Sequence, residues 1–286
     1  MINSLRSILK TSFFEKMLTH ITYGKEVDSL IGKMPPNYTL YEPGSWRTFE
    51  RDGIKICVDI SDFIGYMAYF GFKDETIDSF YSLIRPNQVV LDIGANIGIT
   101  VLNIAKKLKG TGKVIAFEPD PLNFKQLKKN ISLNNFKNIE LQNIGLGAEK
   151  SIQKLHTPTN SNRGGNRINN GASDKYTLVQ IETLNSFAEI NLGSKVDLVK
   201  IDVEGFEYKV LDGGRRFLKT HQPILFIELD DNNLREQGDS AVKLLNLLQD
   251  CGYIRFIKAN SGEQIDANYL FTNTHFDILC YPQVSK

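Results

Sequence analysis

Carboxylates recur where apolar runs end along this chain. Val89-Val90-Leu91 runs into Asp92, with Gly94, Asn96 and Gly98 just beyond. Val114-Ile115-Ala116-Phe117 runs into Glu118 and Pro119. A third run, Ile139-Glu140-Leu141, leads to Asn143, Ile144 and Gly145. Short apolar runs closed by turn residues read as buried strands. In open parallel sheets, ligands sit beyond the carboxyl ends of the strands. Glycines there let the backbone turn tightly and approach a ligand. The helix start after Gly98 offers free N–H groups to an anionic group. Asp92 can serve an ammonium, directly or through water. Glu118 can accept from both hydroxyls of a ribose, and Asn143 to Gly145 can read a base edge through a backbone N–H and a polar side chain.

Spacing narrows the ligand. A dinucleotide turn reads G-x-G-x-x-G. Counted from Gly94, it needs glycine at 96 and 99, where this chain has Asn96 and Ile99. The observed pattern is D-x-G-x-N-x-G, a variant of the turn that holds S-adenosylmethionine.

Two further runs carry the reactive groups. Lys200 and Asp202 are two apart and therefore share a sheet face. Glu204 follows in a turn with Gly205, Glu207 opens the next helix, and Glu228 ends the run starting at Pro223. On adjacent strands, Asp202, Glu204 and Glu228 can share one pocket. A neutral alcohol is a poor nucleophile and benefits from a general base. Clustered carboxylates raise the proton affinity of at least one member. Asp202 leads as base or hydroxyl-orienting acceptor, followed by Glu204 and Glu228. Lys200 is expected to pair with Asp92 or a strand-end acid, because a buried unpaired ammonium is costly. These oxygens permit a divalent cation, but none is assigned. His156, His221 and His275 lack metal-like spacing, and His275 is a secondary candidate base.

The positioning elements alternate. Strands are expected over 54–60, 89–94, 113–120, 138–145, 175–184, 196–202, 223–229, 253–259 and 276–282. Helices are expected over 74–83, 97–108, 121–133, 207–219 and 240–249. This rhythm predicts an α/β domain with a parallel sheet covered on both faces and a terminal antiparallel hairpin. Residues 2–21 form an amphipathic helix by spacing, followed by a proline-rich linker to Gly44. The domain division expected is an N-terminal extension over 1–50 and a ligand-binding domain over 51–286, with a polar insertion at about 146–196. Within that insertion, Thr157–Ser173 reads as a long polar loop. There Arg163, Asn166 and Arg167 can hydrogen-bond a sugar or acidic substrate.

These motifs resemble the FkbM family of S-adenosylmethionine-dependent methyltransferases. The resemblance spans about residues 54–230 and rests on VVLDIGANIG (89–98), VIAFEPDP (114–121) and LVKIDVEGFEYKVLDGG (198–214). The most specific part is K-x-D-x-E-G-x-E from Lys200 to Glu207. The segment Asp59–Glu75 is similar to the one preceding the family's first strand, which implies Glu75 in the cofactor set. Gly145 departs from the pattern, where alanine is expected. The resemblance implies the class I methyltransferase fold, Rossmann-like, with a seven-stranded sheet of order 3-2-1-4-5-7-6 whose seventh strand is antiparallel. It also implies O-methylation of a sugar, glycan or natural-product hydroxyl. The alternatives are an NAD-dependent oxidoreductase and a catalytically inactive S-adenosylmethionine-binding scaffold.

Composition sets the limits. The 286 residues carry 34 Lys+Arg against 33 Asp+Glu, so no basic excess points to nucleic acid. The 41% hydrophobic content suits a globular chain able to bury a core. Cys57, Cys251 and Cys280 form no C-x-x-C pair, which suits a reducing compartment. No apolar run reaches the roughly 18–20 residues of a membrane span, and charges interrupt residues 2–21. The expectation is therefore a cytoplasmic protein with a small-molecule or glycan acceptor and an oligomeric state that the sequence leaves open.

Overall fold

The computed structural model describes residues 12–157, 163–168 and 176–283. The chain divides into two compact units, Met1–Glu75 with Pro158–Gly165, and Thr76–Thr157 with Asn166–Lys286.

The first unit is built on aromatic packing. Strands β1 (Trp46–Arg51) and β2 (Ile54–Asp59) form an antiparallel hairpin. Its turn places Asp52 and Gly53 at φ 51° and 73°, left-handed values that Asp-Gly turns supply readily. The helix Phe63–Phe70 is capped by the Asp62 carboxylate and stopped at Gly71, which is left-handed. The rings of Tyr66, Phe70 and Phe72 pack at tilted angles within this unit. The helix Ser12–Thr22 is the described part of the expected amphipathic helix, and residues 2–11 of that expectation lie outside the described residues. From this helix the buried Glu15 carboxylate accepts two bonds from Arg47, at 2.8 and 2.9 Å.

The second unit holds an eight-stranded sheet. Its strands are β3 (Val89–Ile93), β4 (Lys113–Phe117), β5 (Ile139–Gln142), β10 (Leu198–Ile201), β11 (Ile224–Asp230), β12 (Tyr253–Lys258), β13 (Gln264–Ile265) and β14 (His275–Pro282). Their order is β13-β12-β14-β11-β10-β3-β4-β5. The strands from β5 to β11 run parallel, while β14 runs antiparallel to both β11 and β12. The expected count of seven is therefore corrected to eight, because Gln264 and Ile265 add a short edge strand against β12. Two residues carry too little pattern to announce a strand.

Alternation along the strands splits the core. Leu91, Ile93, Val199, Ile201, Leu225 and Ile227 pack on one face with the helices Leu184–Asn191, Arg215–His221 and Ala241–Asp250. Val90, Val114, Leu198 and Phe226 pack on the other with the helices Ile99–Lys107 and Pro121–Ser132. Asp92 and Lys200 belong by alternation to the second face.

Three expectations change. The polar insertion contains a second sheet of β6 (Gly145–Leu146), β7 (Ser151–His156), β8 (Arg167–Ile168) and β9 (Tyr176–Glu182), in the order β6-β9-β7-β8. Leu155, Val179 and Ile181, with Ile168 beside them, form its own apolar cluster. The strand expected over 138–145 thus ends at Gln142, and Gly145 joins this other sheet. The helix expected over 207–219 breaks into Glu207–Asp212 and Arg215–His221 at Gly213 and Gly214, two weak helix formers, and a Cβ on Gly213 would stand 2.0 Å from the Gly147 carbonyl oxygen. Most of the expected loop Thr157–Ser173 lies outside the described residues. Among the described residues, no helix is long and apolar enough to cross a membrane.

Breaking a buried ion pair from one side leaves an uncompensated charge and costs about 3 kcal/mol or more. Arg47→Met is therefore expected to lower the unfolding free energy by about 3 kcal/mol in urea titrations. The Glu15→Leu, Arg47→Met double variant should recover most of that loss. Equal losses in the two would reject the pairing as the cause.

Candidate active site

The turn after β3 is built by backbone constraints. Gly94 and Ala95 both donate to the Phe117 carbonyl, at 3.0 and 2.9 Å. Gly94 sits at φ 86°, and a Cβ there would lie 1.9 Å from the Asp202 carbonyl oxygen. Asn96 is left-handed at φ 49°. Gly98, at φ 89°, starts the helix Ile99–Lys107, and its Cβ would strike Leu127. Only glycine fits either of those two positions without displacement.

Glu118 lies directly beyond β4. It accepts from the backbone N–H of Asn96 at 2.8 Å and of Asp120 at 2.9 Å, which ties the two turns together. A carboxylate offers about four lone-pair sites, so acceptor capacity remains. Pro119 follows, and Asp120 caps the helix Pro121–Ser132. The Asn143 amide donates to the carbonyls of Glu118 and Pro119, at 2.8 and 3.2 Å. Its NH₂ group therefore braces the turn rather than standing free for a base edge. Ile144 packs against the core. A Cβ on Gly145 would meet the terminal methyl of Ile181 at 2.6 Å, so alanine there would require that side chain to shift.

The acids gather as the strand ends require. The Lys200 ammonium is 3.0 Å from an Asp202 oxygen, 3.5 Å from Asp92 and 3.4 Å from the Gly94 carbonyl. Asp92 is fully buried, yet neither oxygen has a hydrogen-bond partner. Oxygens of Asp202, Glu204 and Glu228 lie within 4.8 Å of one another, a set able to hold a cation. Glu204 occupies a left-handed turn at φ 54° and faces Arg167 and Asn233, each at 3.4 Å. The Glu228 Oε2 is buried without a partner, and His275 stands 3.8 Å from Oε1.

Burial dominates the electrostatics. It pushes Asp92 up to about 6, against the pull of Lys200. It pushes Glu118 up to about 8, against its two backbone hydrogen bonds. Glu228 rises well above the ordinary carboxyl value through burial and then the charges of Asp202, Glu204, Glu207 and Asp277. Glu204 rises for similar reasons, opposed by Arg167 and His275. For Lys200, burial favours the neutral amine, but Asp202 and Asp92 outweigh it and raise the ammonium's pKa.

The structure thus brings Asp92, Gly94, Asn96, Gly98, Glu118, Asp202, Lys200, Glu204 and Glu228 to one end of the sheet. Glu75 and Arg163 belong to the first unit, at the start of the helix Glu75–Tyr81 and of a short turn over Arg163–Gly165. Asn166 donates to Asp120 at 2.7 Å. Two residues contribute more than their sequence position suggested. Glu207, taken as a helix-opening charge, is buried and accepts from Val203 and Gly205 at 3.0 and 3.1 Å, so it holds the Glu204 turn. Asn233, on the unanticipated helix Asp231–Glu236, meets Glu204 through a non-local contact that no local pattern signals.

Known proteins are similar to this chain. A family model described as the methyltransferase FkbM domain matches residues 92–255. Methyltransferase 1 of Beauveria bassiana (strain ARSEF 2860) is 27% identical over 165 residues, covering 50% of this chain and 66% of that protein. Methyltransferase sdnD of Sordaria araneosa is 25% identical over 178 residues, covering 51% and 68%. The chain spans about two thirds of the length of these curated relatives. The crystal structure of methyltransferase FkbM from Methylobacillus flagellatus KT superposes with a TM-score of 0.44 at 20% identity, covering 70% of this chain and 45% of that one.

The raised acids make a pH prediction. A carboxyl whose folded pKa exceeds its unfolded value favours the folded state at low pH. That contribution is present below the unfolded value and lost as pH rises through the folded one. For Glu118 the window runs from 4.5 to about 8. Urea unfolding at stepped pH should show stability declining across this window, and Glu118→Gln should flatten its upper part. A wild-type profile that rises there would contradict the assignment.

Proposed function

We propose that this chain, which belongs to the FkbM methyltransferase family, transfers a methyl group from S-adenosylmethionine to a hydroxyl of a sugar, glycan or natural-product acceptor. The observation that carries the reading is the fully buried Asp92 carboxylate with no hydrogen-bond partner, beside the glycine turn and the buried Glu118. Buried polar atoms are seldom left unpaired without a functional reason. An ammonium group at Asp92, a carboxylate at the helix start after Gly98 and a ribose diol at Glu118 would meet complementary groups. The residues present therefore fit this cofactor. When bound, it supplies a methyl group already activated by its sulfonium.

The protein's own task is positioning and proton acceptance. Asp202, held by Lys200 at 3.0 Å, accepts a hydrogen bond from the acceptor hydroxyl and orients it. Glu228, half-buried, with a sealed Oε2 and raised proton affinity, takes the proton as the oxygen bonds to carbon. Glu204 lines the same pocket and is fixed by Arg167 and Asn233. Lys200 is a positioning residue that keeps Asp92 and Asp202 apart in charge. A cation-assisted variant is favoured by one observation, the convergence of three carboxylates within 4.8 Å. Arg167 and Lys200 already offset part of that negative charge, so the metal-free route is preferred. The family match sets aside the oxidoreductase alternative.

Calorimetric titration with S-adenosylhomocysteine tests the reading. Wild type should bind in the micromolar range, and Glu118→Ala should lose at least tenfold, about 1.4 kcal/mol. Asp202→Asn should keep that binding within a few-fold. Absence of binding by folded wild type would overturn the proposal, and binding that needs added Mg²⁺ would favour the cation variant.

A further inference from the structure

The first unit carries an apolar row that its own core leaves outside. The helix Ser12–Thr22 turns Glu15, Leu18 and Thr22 inward at helical spacing, and all three are buried. Glu15 holds Arg47, and the Thr22 hydroxyl donates to the Phe70 carbonyl at 2.6 Å. The inner face thus fixes the helix by polar bonds as well as by Leu18. The outer face has a different character. Phe13, Met17 and Ile21 follow one another four residues apart and are exposed, Phe13 by 74%. Lys16 and His20 run beside them as a second exposed row. The helix has one acid, Glu15, which is turned inward and offset by Arg47. Nine of the sixteen large apolar side chains exposed among the described residues fall between Phe13 and Trp46, so exposed apolar surface concentrates in this part of the chain. Single exposed apolar residues need no explanation, but a row of them on one face marks an interaction surface.

Charge selects the partner. The whole chain is nearly neutral, with 34 Lys+Arg against 33 Asp+Glu, but residues 1–25 hold Arg6, Lys10, Lys16 and Lys25 against Glu15 alone. A second copy presenting the same face would bring a second basic row, with no outward acid on either helix to offset it. A nucleic acid would satisfy the basic row and leave the apolar row in water. A bilayer containing anionic lipids meets both rows, with acyl chains for one and headgroups for the other. We propose that the helix Ser12–Thr22 docks this protein on anionic membrane surfaces. It lies in the plane of the interface, with Phe13, Met17 and Ile21 among the upper acyl chains and Lys16 at the headgroups. Three apolar anchors make this binding reversible and sensitive to salt. The docking role goes beyond the transferase reading and does not depend on it.

The test sediments the full chain with sucrose-loaded vesicles, either of phosphatidylcholine alone or of phosphatidylcholine and phosphatidylglycerol in equal parts. The protein should pellet with the mixed vesicles and not with phosphatidylcholine alone, and added salt should weaken the binding. Phe13→Gln, Met17→Gln and Ile21→Gln combined should lose at least tenfold in binding. That variant should melt at the wild-type temperature, because all three side chains lie outside the core. Lys16→Glu should lose several-fold. Lys125→Glu with Lys128→Glu, two exposed positions on the helix Pro121–Ser132, is the charge control and should stay within twofold. A Phe13→Trp, Trp46→Phe chain has one tryptophan, whose emission should shift blue on mixed vesicles and be quenched by brominated acyl chains. Wild type that stays in the supernatant with mixed vesicles overturns the proposal. So does binding that survives the triple substitution, or that falls equally in the charge control. A lipid-free dimer that dissociates in the triple variant would make the row an interface between copies and refutes membrane docking. If the triple variant melts lower, the quenching decides, and a tryptophan at position 13 that bromine leaves bright overturns the proposal.

Discussion

A buried ammonium at the centre of a parallel sheet constrains everything around it. Lys200 lies on β10 directly beside Asp92 on β3, and its head group reaches Asp202 at the strand end. Removing one partner from such a group costs about 3–5 kcal/mol, so the three residues stand or fall together. Their grouping fixes the register of the two central strands where the chain leaves the sheet. It also brings the carbonyl of Asp202 against the turn after β3, where Gly94 leaves no room for a side chain. The glycine turn and the acid cluster are thus two sides of one backbone contact.

The central sheet was legible because its signals are local. Each parallel strand is a short apolar run, and each site residue follows such a run at its carboxyl end. Asp92, Glu118, Asp202 and Glu228 could be placed from that rule alone. The second sheet was not legible, because its evidence is non-local. β8 has two residues and lies in a stretch rich in Asn, Gly and Arg, a composition that reads as loop. The burial of His156 depends on register with β8 and β9, which a single run cannot reveal. The broken helix after Glu207 had the same cause. Gly213 looks tolerable inside a helix until the backbone of Gly147 is seen against it, and Gly214 until the Leu184 side chain is.

The site also concentrates features that a purely structural region would avoid. Asp92 is buried with unsatisfied oxygens, the Oε2 of half-buried Glu228 has no partner, and Glu204 is held in a left-handed conformation without being glycine. Such costs persist only where the surroundings over-determine them. Here the surroundings are the capped helices and apolar layers on both faces of the sheet. The rigid core tolerates a weakly satisfied rim, and the rim is where a ligand would find unused hydrogen-bonding capacity.

The helix Glu207–Asp212 has a consequence of a mechanical kind. At its start, the Glu207 carboxylate grips the backbone on both sides of Glu204. Just past its end, Gly213 rests on the backbone at Gly147, where the chain leaves the inserted sheet's first strand. This single short rod therefore spans from the acid turn to the root of the insertion. The root of the insertion and the Glu204 turn are therefore seated on opposite ends of one helix. The outer strands of the insertion lie outside this contact, while Gly213 and the gripping carboxylate tie its root to the acid turn.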